Sequence, residues 1–169
     1  MAEIIPAGHK VKRKYMAHYI NAAPGGDGAA TYERLGKDLQ EFNNELNPNV
    51  TTTNNILGES VTEIDSYQPS AEVSPYYARQ GSKLFEWLQG LIDKRATLDD
   101  LLTDYVEVHL WEGSAGAYEA YKTPVVVELT SYGGDTTGYQ IPFTIHENGT
   151  RVKGTWNEST NTFTPAEED

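Results

Sequence analysis

Cysteine is absent from the 169 residues, so neither a disulfide nor a thiolate metal site contributes to the fold. No stretch of the sequence approaches the about 18 consecutive apolar residues that a membrane-spanning helix needs. The lysines near the N-terminus are not followed by the apolar segment that a secretory signal peptide requires. These absences predict a protein that is made and folds in the cytoplasm of its host cell and makes no contact with a membrane.

Positive charge is also scarce, with 13 Lys and Arg against 25 Asp and Glu and a net charge of −12. A body this acidic argues against wrapping nucleic acid through phosphate contacts, which need many cations, and against an anionic membrane surface. One short segment is basic, and its cations are Lys10, Lys12, Arg13 and Lys14. We predict that residues 1–14 form an extended arm that docks on acids of a neighbouring copy, with an ordinary solvated terminus as the alternative.

Sequence patterns of catalysis and of cofactor binding are missing. The four histidines form none of the short spacings that bind zinc, and they are His9, His18, His109 and His146. No Gly-x-Ser-x-Gly motif is present, and the glycine-rich runs at residues 25–28 and 133–135 lack the following Lys-Ser or Lys-Thr of a phosphate-binding loop. We therefore predict no catalytic residue, no metal and no cofactor, and a protein that is not an enzyme.

Alternation of apolar and polar residues, the pattern of a half-buried strand, dominates the C-terminal part of the chain. It is clearest in three segments, residues 106–110, 125–129 and 139–145. Asn148-Gly149 then favours a tight hairpin turn into a strand over residues 150–156, and Trp156 and Phe163 flank a last hairpin. Further strands are predicted in the N-terminal part, over residues 15–20, 31–35 and 61–67.

One segment, residues 82–95, has the spacing of an amphipathic helix. Its apolar stripe consists of Leu84, Phe85, Leu88, Leu91 and Ile92. Ser82 stands where a side chain can cap the helix N-terminus. Many short strands with one helix predict a mainly β, α+β domain over residues 15–169. We expect an antiparallel β-sandwich or half-barrel with the helix packed on its flank.

A polar segment over residues 47–58 mixes turn formers with β-branched residues and predicts a long, hairpin-like loop. A loop of this length in a compact domain is usually functional. Its first part is the candidate contact between copies, and it consists of Asn47, Pro48, Asn49, Val50, Thr51, Thr52, Thr53, Asn54 and Asn55.

Two stretches of the chain have a distinctive order of residues. The first combines Tyr-Glu-Arg-Leu-Gly-Lys-Asp-Leu at residues 32–39 and the following Phe42-Asn43 with Asn-Asn-Ile-Leu-Gly at residues 54–58. The second is Gly-Gly-Asp-Thr-Thr-Gly-Tyr-Gln-Ile-Pro-Phe-Thr-Ile at residues 133–145. Together with Pro-Tyr-Tyr-Ala at residues 75–78 and the helix, they resemble the major tail proteins of bacteriophages and prophages of Gram-positive bacteria over nearly the whole chain.

The resemblance implies a tail tube protein of a virion, made in a bacterial host. Such proteins fold as a β-sandwich with a flanking helix, and six copies form a ring in which their strands join into one barrel around a lumen. Loops and terminal arms link ring to ring, which gives the candidate loop a role in stacking and the basic arm a role between rings. The tape measure protein fills the lumen, and double-stranded DNA later passes through it without tight binding.

An acidic lumen wall would repel the phosphates of passing DNA at short range. Our candidate lumen residues are Glu41 and Glu45 on one predicted strand and Glu63 and Asp65 on another. Closing the sheet across copies would also remove exposed strand edges, which otherwise promote aggregation.

Other interpretations remain open. A monomeric β-sandwich module that binds carbohydrate or a receptor on a phage particle is one, since 11 tyrosines suit stacking on sugars. The tube protein of a contractile or bacteriocin-like particle is another. A small hydrolase that uses scattered acids is the weakest, because no catalytic constellation is present.

Overall fold

The structure, a computed structural model, describes residues 5–167. In this range the chain forms thirteen strands and one α-helix. The strands are β1 (Met16–Asn21), β2 (Tyr32–Leu35), β3 (Asn44–Glu45), β4 (Pro48–Asn54), β5 (Ser60–Tyr67), β6 (Ser70–Val73), β7 (Leu102–Ser114), β8 (Ala117–Leu129), β9 (Gly133–Asp135), β10 (Gly138–Gln140), β11 (Phe143–Glu147), β12 (Val152–Asn157) and β13 (Thr162–Pro165). The helix is α1 (Lys83–Asp93), and 3-10 turns span Arg13–Tyr15 and Leu98–Leu101.

Nine of these strands form one antiparallel sheet. Its order is β2-β1-β7-β8-β11-β6-β3, and β12 and β13 extend it beside β8. β8 has two neighbours on one side, because residues 118–122 pair with β12 and residues 125–129 pair with β11. The sheet therefore divides near the middle of β8 into two halves with different surroundings.

The prediction of a hairpin at Asn148-Gly149 is wrong. β11 and β12 both run antiparallel to β8 and lie end to end along it, so they do not face each other. The Asn148 N–H donates to the Pro124 carbonyl at 2.8 Å, which links the junction to β8. Asn-Gly is a local turn signal, and pairing with the long strand β8 outweighs it. The last predicted hairpin is confirmed, since Trp156 of β12 lies opposite Phe163 of β13.

The half of the sheet that contains β2, β1, β7, β8 and β12 curls into a half-barrel. In a flat sheet, four steps of about 4.8 Å would separate β2 from β12, yet the rings of Tyr32 and Trp156 lie 5.3 Å apart. The curl encloses an inner core, whose buried members are Ala17, Tyr19, Val106, Val108, Tyr118, Ala120 and Trp156. The predicted half-barrel is thus confirmed.

Helix α1 covers the opposite face of the sheet and builds a second core. Its buried side chains, Leu84, Leu88, Leu91 and Ile92, match the predicted stripe. At the helix start, the Ser82 hydroxyl accepts from the Phe85 N–H at 3.2 Å and donates to the Glu33 carboxylate of β2 at 2.8 Å. This carboxylate lies at the positive end of the helix dipole, so it stabilises α1 and ties it to the edge of the sheet.

The helix is shorter than the predicted range of residues 82–95. Ser82 is its N-cap, and the helix ends at Asp93 because Arg95 adopts a left-handed backbone conformation with a φ of 49°. Among residues 5–167, no helix combines the length and the apolar character needed to cross a membrane.

Candidate functional site

The hairpin formed by β4 and β5, residues 48–67, stands apart from the sheet. Its two strands pair with each other and form a sheet of their own. Every residue of both strands is exposed, so neither face of the hairpin packs on the rest of the chain. A two-stranded hairpin is at best marginally stable in water unless another element covers it. The hairpin therefore has the character of an element that a partner covers.

The candidate stacking loop lies in this hairpin, where most of it forms strand β4 and not a loop. At the base, the Asn47 side-chain amide donates to the Gln68 carbonyl at 3.1 Å. At the tip, the Asn55 side-chain oxygen accepts from the N–H groups of Leu57 and Glu59, both at 3.0 Å. These bonds give the segment a defined shape, and its role in stacking stays a prediction.

Aliphatic side chains are exposed along the hairpin. Val50 and Ile64 lie opposite each other, and each is more than half exposed. At the tip, Leu57 is 77% exposed and Ile56 is fully exposed. Single apolar side chains are normal on a protein surface, and four of them stand here on one projecting element.

The candidate inter-ring arm divides at Arg13. Arg13 and Lys14 belong to the 3-10 turn that leads into β1, so the folded body begins two residues before the predicted boundary at residue 15. The Arg13 guanidinium donates to the Phe42 carbonyl of its own chain at 3.0 Å. Lys10 and Lys12 precede this turn and have no carboxylate partner in the described part of the chain. The first four residues lie outside that part, and contact between the arm and a neighbour stays a prediction.

Arg13 is also the first member of a partly buried chain of polar side chains. Its guanidinium donates to His18 Nε2 at 2.9 Å, and because arginine can only donate, the proton of the neutral ring lies on Nδ1. This Nδ1–H donates to the Tyr105 hydroxyl. The Asn44 side-chain amide contacts the same hydroxyl and donates to the Glu107 carboxylate at 2.7 Å. These hydrogen-bonded side chains link the N-terminal turn to β1, β3 and β7. They thereby fix the point at which the arm leaves the folded body.

Glu107, at 6% exposure, carries the negative charge of this cluster. Its Oε1 accepts from His109 Nε2 at 2.8 Å and from the Arg151 guanidinium at 3.0 Å. Burial alone would raise the pKa of Glu107, but the His109 hydrogen bond and the Arg151 charge outweigh it, so the pKa lies below its usual value. The cluster is a satisfied structural network. Within residues 5–167, no group of three or more His, Asp or Glu side chains is placed to hold a metal ion.

The buried His18 is expected to make the fold sensitive to acid. Burial, followed by the charge of Arg13, lowers the pKa of His18 from 6.5 to about 3. Between these values the unfolded chain binds a proton that the folded chain does not, so stability present above pH 6.5 is lost as the pH falls toward 3. We expect a slope of up to about 1.4 kcal/mol per pH unit from this residue and a flatter dependence for His18→Gln, measured by urea denaturation across this range. Equal slopes for variant and wild type would contradict the assignment.

The four candidate lumen acids do not lie on one wall. Glu63 and Asp65 belong to the exposed hairpin, whereas Glu41 and Glu45 border a shallow groove at the edge of the nine-stranded sheet. Asp65 occupies a bulge in β5 and accepts from the Asn49 side-chain amide at 2.7 Å. A lumen role stays a prediction for all four acids, but the structure separates the hairpin pair from the sheet pair.

The prediction that Glu41 and Glu45 share a strand is wrong. Glu45 lies in β3, which has two residues, and Glu41 precedes it outside any strand. Phe42 gives the physical reason, because its buried ring lies 4.5 Å from the His18 ring and draws the chain inward at this point. Both carboxylates still border the same groove, together with Glu72 of β6.

Three acids, one each on β8, β6 and β3, lie on the sheet face opposite α1. Glu128, Thr144 and Glu72 are neighbours in one cross-strand row, and the next row ends on Glu45. We call this surface, with Glu45, Glu72 and Glu128, the acidic face. Of the three acids, Glu45 alone is among the candidates predicted from the sequence, since the strand pairing that brings the three to one face involves residues far apart in the chain.

The four strands of this part of the sheet lack a further strand neighbour on both sides within the described residues. β3 ends the sheet on one side. On the other side β7 begins at Leu102 opposite Val126, so residues 127–129 of β8 have β11 as their strand neighbour among the described strands. An open edge presents unpaired backbone groups to another chain.

Comparison with known proteins reveals a shared fold. The sequence matches no protein-family model and no curated protein. One solved structure with the same fold is the cap of the anti-feeding prophage, its tube terminating cap, at 12% identity and a TM-score of 0.53, covering 91% of this chain and 97% of that chain. Another is the sheath/tube terminator of the extracellular contractile injection system PVC in its extended state, at 9% identity and a TM-score of 0.52, covering 88% and 99%. The chain thus shares its fold with a tube terminating cap and with a sheath/tube terminator.

Proposed function

We propose that this chain is a non-enzymatic structural subunit of a phage-tail-like particle, and that it assembles with copies of itself into rings around a channel. The exposed hairpin is the observation that carries the proposal. A two-stranded element with exposed aliphatic side chains needs a partner, and a stack of rings supplies one to every copy. The likeness to two tube terminators over 91% and 88% of the chain supports a place in such a tube.

Ring formation would also use the open edges of the sheet. If β3 of one copy pairs beside residues 127–129 of the next, both edges disappear and the sheets join into a closed barrel. Helix α1 covers one face of the sheet, which leaves the acidic face to line the channel. As in the phage tail tubes that the sequence resembles, six copies would form each ring. The tape measure protein would occupy the channel first, and carboxylates on the wall would later let DNA pass without tight binding.

A terminator ring at the end of a tube is the second candidate function. It is favoured by the two solved structures that share the fold, since both are terminators. In this candidate function the chain would form the same kind of ring as a tube protein but would end the stack. The two candidates therefore differ in the length of the assembly and not in the ring itself.

Negative-stain electron microscopy of the purified chain tests the proposal. We expect rings with a central hole, extended into long tubes for a tube protein and limited to single rings for a terminator. A carbohydrate-binding module would instead sediment as a monomer. A chain that stays folded and monomeric at about millimolar concentration, where even weak association is populated, and that other tail proteins do not recruit, would contradict a role in assembly.

A further inference from the structure

A strongly basic groove borders the N-terminal turn, although the chain as a whole is acidic. Its charged lining residues include four cations, Arg13, Lys14, Arg34 and Lys37, and its apolar lining residues are Met16, Leu35, Leu39 and Phe42. The groove has a volume of about 500 Å³ and opens to solvent. We call it the basic groove.

The four cations of the basic groove have no carboxylate partner in the described part of the chain. Elsewhere, five cations each have a carboxylate within 3.2 Å, in the pairs Arg79–Asp38, Lys83–Glu86, Lys94–Asp100, Arg151–Glu107 and Lys153–Glu119. One acid lines the groove, Glu41, and its carboxylate accepts from the Asn43 side-chain amide at 2.6 Å. In a chain with a net charge of −12, such a cluster is a site for negative charge from outside the chain.

The exposed hairpin has the complementary chemistry. Residues 48–67 contain three acids, Glu59, Glu63 and Asp65, and no Lys or Arg. The same segment exposes aliphatic side chains, which match the apolar lining of the basic groove. Among the described residues of one chain, the hairpin lacks a partner because it is exposed over its whole length, and the groove cations lack a carboxylate partner.

We propose that the hairpin of one copy binds in the basic groove of a second copy, with its acids facing the groove cations and its aliphatic side chains on the apolar lining. The inference rests on the proposed self-assembly and names the contact that gives it direction. Hairpin and groove are different surfaces, so the contact is heterologous and repeats from copy to copy until it closes or forms a stack.

Nucleic acid fits the basic groove less well than the hairpin does. Phosphates would meet the four cations but would make no contact with the partly exposed apolar side chains of Met16 and Leu39. The surrounding acids, including those of the acidic face, would repel a polyanion that extends beyond the groove. A hairpin with three carboxylates and exposed aliphatic side chains satisfies both parts of the groove.

A charge-swap experiment tests the contact. Lys14→Glu with Lys37→Glu reverses two charges of the groove. Glu63→Lys with Asp65→Lys reverses two charges of the hairpin. All four side chains lie outside the cores. We expect each pair of changes to raise the concentration for half-assembly, measured by sedimentation velocity, by at least about tenfold. The chain with all four changes should return to within about threefold of wild type, because the attraction is restored with its signs exchanged. Lys83→Glu with Lys94→Glu, at the two ends of the helix, changes the net charge by the same amount as the groove pair and is expected to assemble normally.

The outcomes distinguish failure of the proposed function from failure of the hairpin–groove contact. If the wild type never assembles, the proposed function fails, and this inference fails with it. If the wild type assembles but the four-change chain does no better than either pair, the hairpin–groove contact alone is overturned. If the wild type binds a short DNA duplex and Lys14→Glu with Lys37→Glu abolishes that binding, the groove is a phosphate site and the inference is equally overturned.

A cross-linking experiment tests the same hairpin–groove contact without charge reversal, and it serves if the charge-reversed variants fail to fold. The absence of native cysteine makes any introduced thiol unique. Mixing the Lys37→Cys and Glu63→Cys proteins with a short bismaleimide is expected to give a covalent heterodimer. Lys83→Cys with Glu63→Cys is the matched control and should give little product. Equal yields from both mixtures would overturn the contact.

Discussion

Replacement of residues 48–67 by a short Gly-Ser linker is expected to give a folded subunit that no longer assembles. The hairpin contributes no side chain to either core, since none of the buried residues of the described chain lies between residues 43 and 70. Its ends are adjacent, because the Gln68 N–H donates to the carbonyls of Leu46 and Asn47, each at 3.2 Å. A short linker therefore closes the gap without strain, and we expect the free energy of unfolding to change by less than about 1 kcal/mol.

Assembly is expected to disappear in this variant because, in the proposed contact, the hairpin is the element that each copy offers to the next. Thermal unfolding followed by circular dichroism reports on the subunit, and sedimentation velocity with electron microscopy reports on the rings. The control carries the same linker inserted at residues 115–116, in the exposed turn between β7 and β8. Rings formed by the deletion variant at the wild-type concentration would remove the hairpin from the assembly contact.

The elements that the sequence predicts well are those that pack on a core from one side. In β8 and β11, buried residues alternate with less buried ones, so the period of two is visible in the sequence. In α1, one stripe alone is buried, and the helical period is equally clear. Local pattern and final environment agree in these segments, which is why the mainly β fold with one flanking helix is predictable.

The sequence-based predictions fail where a strand pairs with a segment far away in the sequence, or where a strand packs on neither core. Asn148-Gly149 predicts a hairpin, but β11 and β12 both find a better partner in β8, and no local signal encodes that choice. β4 lies outside both cores, so burial imposes no apolar period on its threonines and asparagines. Sequence analysis therefore predicts a loop where the structure has a strand.

The candidate surfaces are less predictable than the fold because they combine distant segments. Arg13 and Lys14 precede β1, and Arg34 and Lys37 lie at the end of β2. Antiparallel pairing of these two strands brings both sets of cations to one end. The sequence pattern makes the first set visible as part of a basic arm. It gives no sign that the second set completes a groove, since the register of β1 on β2 is needed to place it there.

Trp156→Ala is expected to lower the free energy of unfolding by about 3–5 kcal/mol, the usual cost of truncating a buried aromatic side chain. Trp156 is fully buried and connects β12 to two strands across the half-barrel, with ring distances of 4.3 Å to Tyr19 and 5.3 Å to Tyr32. Pairing on both sides holds the β12 backbone in place, so the structure cannot collapse into the cavity. The melting temperature should fall by on the order of 10 °C.

Tyr132→Ala is the control for this effect, because Tyr132 is half exposed and lies outside both cores; we expect it to cost less than about 1 kcal/mol. Trp156→Phe keeps a ring in the inner core and should fall between wild type and Trp156→Ala. If Trp156→Ala melts within about 2 °C of wild type, strand pairing alone maintains the curl and the inner core contributes little. Because the hairpin and the basic groove lie outside the inner core, Trp156→Ala is expected to assemble normally at temperatures where it remains folded. Loss of assembly in the folded variant would show instead that the curl itself positions the contact between copies.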